Sequence, residues 1–293
     1  MSKNPITHGD YPMLSIKDQL VLLYSTIDDL LKMQERKGEW RRSNNKPQFT
    51  DAEVLTIALM QSYFRTDTLK RAYLLVRAND PTAFKHLPSY KQWIGRLHRL
   101  AGQTSRMIFS VALAIEDVAE EVYLIDSYPV KMCQAIRHGR VNLLRDQGAY
   151  FGKSSTGWFF GFKLHVLTSR NGKIIGAVMT NGNVTDRDGA RLLTQVLEEG
   201  SLCVADLGYR GDTFQTEIFE DEGVLILTRN DLPSEELKRL HSQIRSRVET
   251  TFSQLWRRFT DRIYSRSWLG LWNTLLLKML ECKLCQTNIL PTT

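Results

Sequence analysis

Cysteine and proline are scarce in this sequence, with 4 and 8 copies among 293 residues. Cys133, Cys203, Cys282 and Cys285 make no disulfide framework. Cys282 and Cys285 stand at the spacing of a zinc half-site, but no second Cys/His pair accompanies them, so an i,i+3 pair on an apolar helix reads as core. Cysteine used this way fits a reducing cytoplasm. No apolar run occupies the first residues, so no secretory signal is expected. The most apolar stretch, residues 268–290, is broken by Asn273, Lys278, Glu281 and Lys283, which argues against a bilayer span and for a packed helix. The sequence has neither a G-x-x-x-x-G-K-[ST] loop nor a G-x-S-x-G elbow, which disfavours P-loop and α/β-hydrolase chemistry. Internal repeats and low-complexity tracts are also missing.

What is present is the composition of a globular protein, 42% hydrophobic and 24% charged, with a formal net charge of +7. A basic excess favours a polyanionic partner, because each phosphate neutralised by Lys or Arg releases counterions. The length suits two domains. The pattern divides them into a helical region, residues 1–120, and an α/β region, residues 121–293.

The first region reads as helices throughout. Ser15 and Asp18 open an amphipathic run through Leu20, Leu23, Ile27 and Leu31, and Thr50 and Glu53 form a capping box before a second helix. Residues 69–78 make a third, stopped by Asn79, Asp80 and Pro81. Ser89 caps a fourth, with Trp93, Leu97 and Leu100 on one face and Lys91, His98 and Arg99 on the other. Helices in this order suit a helix-turn-helix-like unit that lays Lys91 and Arg99 along DNA. They equally suit a bundle whose charged face is simply wet. A further helix is expected around residues 106–120.

From Val122 the grammar changes to strands. Val122, Tyr123, Leu124 and Ile125 are β-formers that end in Asp126, and Leu202, Cys203, Val204 and Ala205 end in Asp206. Two strands that end in carboxylates can set them side by side, where like charges repel unless a cation lies between; few oxygen donors suit Mg²⁺ or Mn²⁺. The plainer reading is that each Asp only ends a strand. Residues 131–157 form a basic, glycine-rich insert with Arg137, His138, Arg140, Arg145 and Lys153, long enough to suggest a substrate-contacting loop. Strands are expected at residues 158–168 and 173–180, joined by the Asn171-Gly172 turn. In the first, Lys163 and His165 share a face and suit phosphate, or His165 is a structural histidine. Thr185 or Asp186 caps the next helix, and Asp186 otherwise orients an arginine. Further elements are a strand at 202–206, a helix at 213–222, a strand at 224–227 and a last long helix from about residue 234. On that helix Glu249 lies at the margin of the apolar stripe, one turn beyond Arg245, ready for a metal site or for an i,i+4 ion pair.

Three antiparallel-looking strands, then helix, strand and helix, with acids ending the first and fourth strands and a third on a late helix, is the plan of an RNase H-like mixed sheet flanked by helices. The chain from about residue 122 to 289 resembles the DDE transposases of bacterial insertion sequences. The residues that carry the likeness are Asp126 with Ile125 and Ser127, Gly152 with Lys153 and Ser154, Gly161 to His165, Gly182, Asn183 and Asp186, Asp206 with Gly208 and Tyr209, and Arg245 with Glu249. The short interval from Asp206 to Glu249 suits a member without a large domain inserted there. The resemblance implies that Asp126, Asp206 and Glu249 are the catalytic and metal-binding triad. It implies DNA cleavage at transposon ends, with strand transfer of the freed 3′-OH into target DNA, on two Mg²⁺ or Mn²⁺ ions. Some relatives carry Tyr three positions before the arginine, where this chain has Ser242. They carry Lys or Arg about seven positions after the glutamate, where Trp256 stands beside Arg257, so a DNA contact is carried over to Arg257. Lys91, Arg99, Arg140, Lys153, Lys163, His165 and Arg245 are the other expected DNA contacts. DNA is the expected partner, with no membrane, and joining two ends implies a homodimer on DNA in a bacterial cytoplasm, at the nucleoid. An RNase H-fold nuclease that cuts without joining, and a DNA-binding regulator descended from a transposase, are the competing readings.

Overall fold

Hydroxyl caps and capping boxes set the starts of the first helices. In this computed structural model, which describes residues 14–38, 47–115, 121–133, 136–137, 142–154, 157–257 and 265–286, Ser15 accepts from the Asp18 amide at the start of α1 (Ile16–Arg36). Thr50 and Glu53 cap α2 (Asp51–Tyr63) reciprocally, and Ser89 and Gln92 do the same for α4 (Tyr90–Arg99). Between these lies α3 (Leu69–Asn79), opened by Thr68. The next helix, α5 (Ala101–Ile115), starts earlier than the sequence suggests, because Leu100 already accepts a helical bond from the Thr104 amide; residues 116–120 of the expected helix lie outside the described residues. Trp93 is fully buried, donates to the Val54 carbonyl and packs against Tyr73 and Tyr90.

The last helix, α9 (Trp268–Gln286), is buried over nearly its whole length and packs on α5, α4 and α2 on one side and α8 and the sheet on the other. It is the packed helix expected from its broken apolar run; the interrupting Asn273, Lys278, Glu281 and Lys283 are themselves buried. Through it the helical region and the sheet share one apolar core, which includes Leu31, Leu55, Trp93, Leu124, Phe162 and Leu275. Among the described residues no helix is long and apolar enough to cross a membrane.

The sheet holds six strands: β1 (Val122–Cys133), β2 (Tyr150–Ser154), β3 (Gly157–Ser169), β4 (Ile174–Asn181), β5 (Leu202–Ala205) and β6 (Leu225–Leu227). Its order is β2-β3-β1-β5-β6, with β4 on the same edge of β3 as β2. The β1–β3, β2–β3 and β3–β4 pairs are antiparallel, whereas β1–β5 and β5–β6 are parallel. The parallel crossovers carry α6 (Asp186–Thr194) and α7 (Asp212–Glu222), and α8 (Glu235–Arg257) follows β6.

Part of the expected basic loop at 131–157 is strand: β1 continues to Cys133 and β2 pairs along β3. Glycine hides this in the sequence. A Cβ at Gly152 would lie 2.0 Å from the Gly182 carbonyl oxygen, and one at Gly161 would lie 2.1 Å from that of Val130. Only residues without side chains permit these close approaches. Period-two alternation decides which way the functional residues face. Leu124 and Tyr128 join the core beneath α8, and Ile125 joins a second core with Ala190, Leu193 and Ile218 of α6 and α7. Asp126 therefore faces α8 and Ser127 faces α6.

Candidate active site

The parallel pairing of β1 with β5 matches Ile125 with Ala205, the last paired residues of that ladder. Asp126 and Asp206 are the next residues on each strand, so the register delivers both carboxylates to the point where the two strands part. Asp206 leads into a 3-10 turn, Leu207–Tyr209. The third acid comes from α8, which three contacts fix against the sheet. His241 bonds the Ala205 carbonyl at 3.1 Å, the Phe252 ring packs 5.4 Å from that of Tyr128, and the Thr251 hydroxyl donates to the Gly172 carbonyl. His241 lies one turn before Arg245, and Phe252 lies just past Glu249. The segment bearing both functional residues is thus pinned at either end.

Arg245 stands at the centre of the three acids. Its Nη2 lies 3.3 Å from Asp126 Oδ2 and 3.4 Å from Asp206 Oδ2, and its Nη1 lies 3.4 Å from Glu249 Oε1. The i,i+4 ion pair and the convergence of acids, alternatives in the sequence, are therefore one arrangement. Asp126 is the buried member, with 15% of its side chain exposed, against 49% for Asp206 and 59% for Glu249. Burial pushes Asp126 up to about 6, with Asp206 adding to the rise, while Arg245 and the Ser127 amide, 2.8 Å from Oδ1, oppose it. A carboxylate so placed calls for further positive charge.

These acids line a cleft of about 600 Å³ with Ser127, Lys131, Lys153, Lys163, Asp186, Gly208 and Ser253. The donor set is all oxygen and suits a hard divalent ion. As arranged here, with the guanidinium between them, no three His, Cys, Asp or Glu side chains among the described residues close into a metal-binding group. The acids fit a divalent ion in kind and place, and Arg245 holds the position such an ion would need.

Of the expected DNA contacts, Lys153, Lys163 and Arg245 line this cleft. Lys91 and Arg99 are on α4 and do not line it. Arg140 and the side chain of Arg257 lie outside the described residues.

His165 requires correction. It is fully buried under α6, where a Cβ at Gly189 would lie 2.3 Å from its ring, and its Nε2 bonds the Thr180 hydroxyl at 2.9 Å. It is a structural histidine with no surface to offer a phosphate. Burial holds it neutral, down at about 4. A base depressed this way stabilises the fold above its unfolded value of 6.5 and loses that contribution as pH falls through about 4. His165→Gln is therefore expected to flatten the acid side of the stability curve between these values. Urea melts at pH 7 and pH 4.5 check this, and an unchanged slope would contradict it.

Of the two candidates for the cap of α6, the structure selects one. Thr185, not Asp186, caps α6 through the Asp188 amide. Asp186 instead accepts from Lys163 and from Ser127. The hydrophobic pattern gives no sign of His241 or Ser127, since a hydroxyl or an imidazole reveals its partner only once the strands are paired.

A mixed sheet with four antiparallel strands continued by two parallel ones, helices against it, and acids where the first and fifth strands part is an RNase H-like fold. Residues 117–260 match the family described as Transposase DDE domain, so this part of the chain is similar to that domain. The domain is that of a transposase-type enzyme acting on DNA, in a family that generally uses divalent metals. Comparisons with curated proteins and with solved structures gave no match.

Proposed function

We propose that the chain is a DDE transposase that cleaves DNA at the ends of its own insertion sequence and transfers the freed 3′-OH into target DNA. The observation that supports this most directly is the gathering of Asp126, Asp206 and Glu249 about one guanidinium in a cleft. Asp126, Asp206 and Glu249 would hold two Mg²⁺ or Mn²⁺ ions, which supply charge at the attacking and leaving oxygens of an in-line displacement. Attack by water and attack by a 3′-OH differ only in the nucleophile, so one site serves both steps.

The chain's own residues bind and orient the DNA. Ser127 holds Asp126 through its amide, leaving Oδ2 directed at α8. Arg245, once released from the acids, presents a planar fork of donors suited to a phosphate. Lys131 and Lys153, which line the same cleft, neutralise neighbouring phosphates. Lys91 and Arg99 on α4 extend the DNA contacts away from the cleft, and Arg140 and Arg257 are further DNA contacts. Two ends joined in one reaction call for a homodimer on DNA.

The test is a supercoiled plasmid carrying the gene with its flanking DNA, incubated with the protein and Mg²⁺. Nicks that leave 3′-OH ends, joining of those ends to a second plasmid, and loss of both on adding EDTA are the expected results. Cutting without joining would leave the nuclease reading, and binding without cutting the regulator.

A further inference from the structure

A fourth carboxylate stands in the same cleft, on the other side of β1. Asp186 Oδ1 accepts from Lys163 Nζ at 3.0 Å and from Ser127 Oγ at 2.9 Å. Lys163 also donates to the Val184 carbonyl at 2.9 Å, and only 11% of its side chain is exposed. We propose that Lys163 is a phosphate-binding residue that grips a non-bridging oxygen of the DNA strand next to the cut, and that Asp186 and Ser127 are the residues that position it. The proposal rests on the reading of the cleft as a DNA-cleaving site.

The geometry separates this group from the metal-binding acids. Ser127 and Lys163 face α6, whereas Asp126 faces α8, so the two sets meet only across β1. Asp186 Oδ1 is already committed to an ammonium and a hydroxyl, which suits a carboxylate that orients a cation rather than one that binds a metal. It also borders the turn that follows Asp206: a Cβ at Gly208 would lie 3.0 Å from Asp186 Oδ2, so the glycine leaves the carboxylate its room. One carboxylate thereby touches the residue after Asp126 and the turn after Asp206. A lysine ammonium has three donors. Asp186 and Val184 use two, and no acceptor among the described residues takes the third. An ammonium fixed on two sides, lining a cleft, and with a donor to spare is a preorganised contact for an anionic oxygen. A buried ion pair that served only the fold would have no need to border the cleft.

The probe is a set of labelled duplexes containing the mapped cut, each with one phosphate replaced by a neutral methylphosphonate. Wild-type protein is expected to lose binding about tenfold at one position near the cut, an effect of the size of one charged contact. Lys163→Met should be indifferent at that position and keep wild-type sensitivity at the others, while Lys163→Arg recovers part of the effect. The double variant Lys163→Met/Asp186→Asn, which leaves no unpaired acid behind, guards against simple misfolding and should behave as Lys163→Met does. Asp186→Asn, which unfixes the Lys163 donor, should lower kcat by up to roughly a hundredfold, the effect of losing one fixed donor, with Mn²⁺ binding measured by electron paramagnetic resonance unchanged. Wild-type sensitivity at every position in Lys163→Met would overturn the assignment. So would a loss of Mn²⁺ binding in Asp186→Asn equal to that in Asp126→Asn, which would make Asp186 a metal ligand. If the wild-type protein cuts no duplex with Mg²⁺ or Mn²⁺, the underlying reading falls and takes this one with it.

Discussion

Asp126→Asn is expected to reduce metal-dependent cleavage severely and, at the same time, to make the metal-free protein more stable. Both effects have one cause. Burial raises Asp126 from 3.8 to about 6, so near neutral pH the fold holds an ionised carboxylate that its surroundings disfavour. A group raised in this way contributes stability that is fully present below the unfolded value and is lost as pH rises through the folded one. Above about pH 6 the charged form therefore costs the fold about 1–3 kcal/mol, since moving a pKa by one costs about 1.4 kcal/mol. Asparagine keeps an oxygen for the Ser127 amide and discards the charge. Thermal melts in EDTA should show the variant several degrees above wild type at pH 8, with the gap closing towards pH 4. His165 acts on the same pH window in the opposite sense, but it is common to both proteins and cancels in the difference. Cleavage should fall roughly a thousandfold, the value of several kcal/mol of lost charge stabilisation. A variant that melts with wild type at pH 8, or that nicks DNA at close to the wild-type rate, would remove Asp126 from the role given to it.

That dual effect turns on a residue the sequence makes conspicuous. The two runs of β-formers leading to Asp126 and Asp206 are legible because a buried parallel strand leaves such a run, and a carboxylate directly after one stands out. Glu249 is legible only as one turn beyond Arg245, since helical spacing places a residue on a face without saying what that face meets. β2 is hidden because Tyr150 and Phe151 are followed by Gly152, whose purpose is the approach of Gly182, a contact distant in the chain. His165 reads as a companion of Lys163 because alternation puts both on one face. The pairing is correct, but α6 covers one of the two and leaves the other at the cleft. The helical region reads as a separate domain because the pattern changes from helices to strands near residue 120, whereas α9, arriving from the far end of the chain, joins it to the sheet in one core.

Arg245→Met is expected to destabilise the metal-free protein and to have little effect on stability once Mg²⁺ is present. Among the described residues the guanidinium is the only side-chain cation paired with Asp126, Asp206 and Glu249. Asp206 and Glu249 are half exposed, and water screens most of what they would lose. Asp126 is not, so the cost concentrates there. It should come to about 1–2 kcal/mol, below the roughly 3–5 kcal/mol typical of a fully buried pair broken on one side. A divalent ion placed among the same acids restores the missing charge, so millimolar Mg²⁺ should recover most of the lost melting temperature in the variant and shift wild type less. Arg245 and the ion compete for one position, so Mn²⁺ titrations without DNA should show tighter binding in the variant by about tenfold, the equivalent of about 1.4 kcal/mol. Cleavage should nevertheless decline, because the released guanidinium is then missing from the phosphate. The double variant with Asp126→Asn separates charge from packing: if the guanidinium acts through Asp126, adding Arg245→Met to that background should cost almost nothing. An equal loss in both backgrounds, unrelieved by Mg²⁺, would mean that Arg245 stabilises the fold through the packing of its aliphatic stem, and that the acids do not depend on it as their counter-charge.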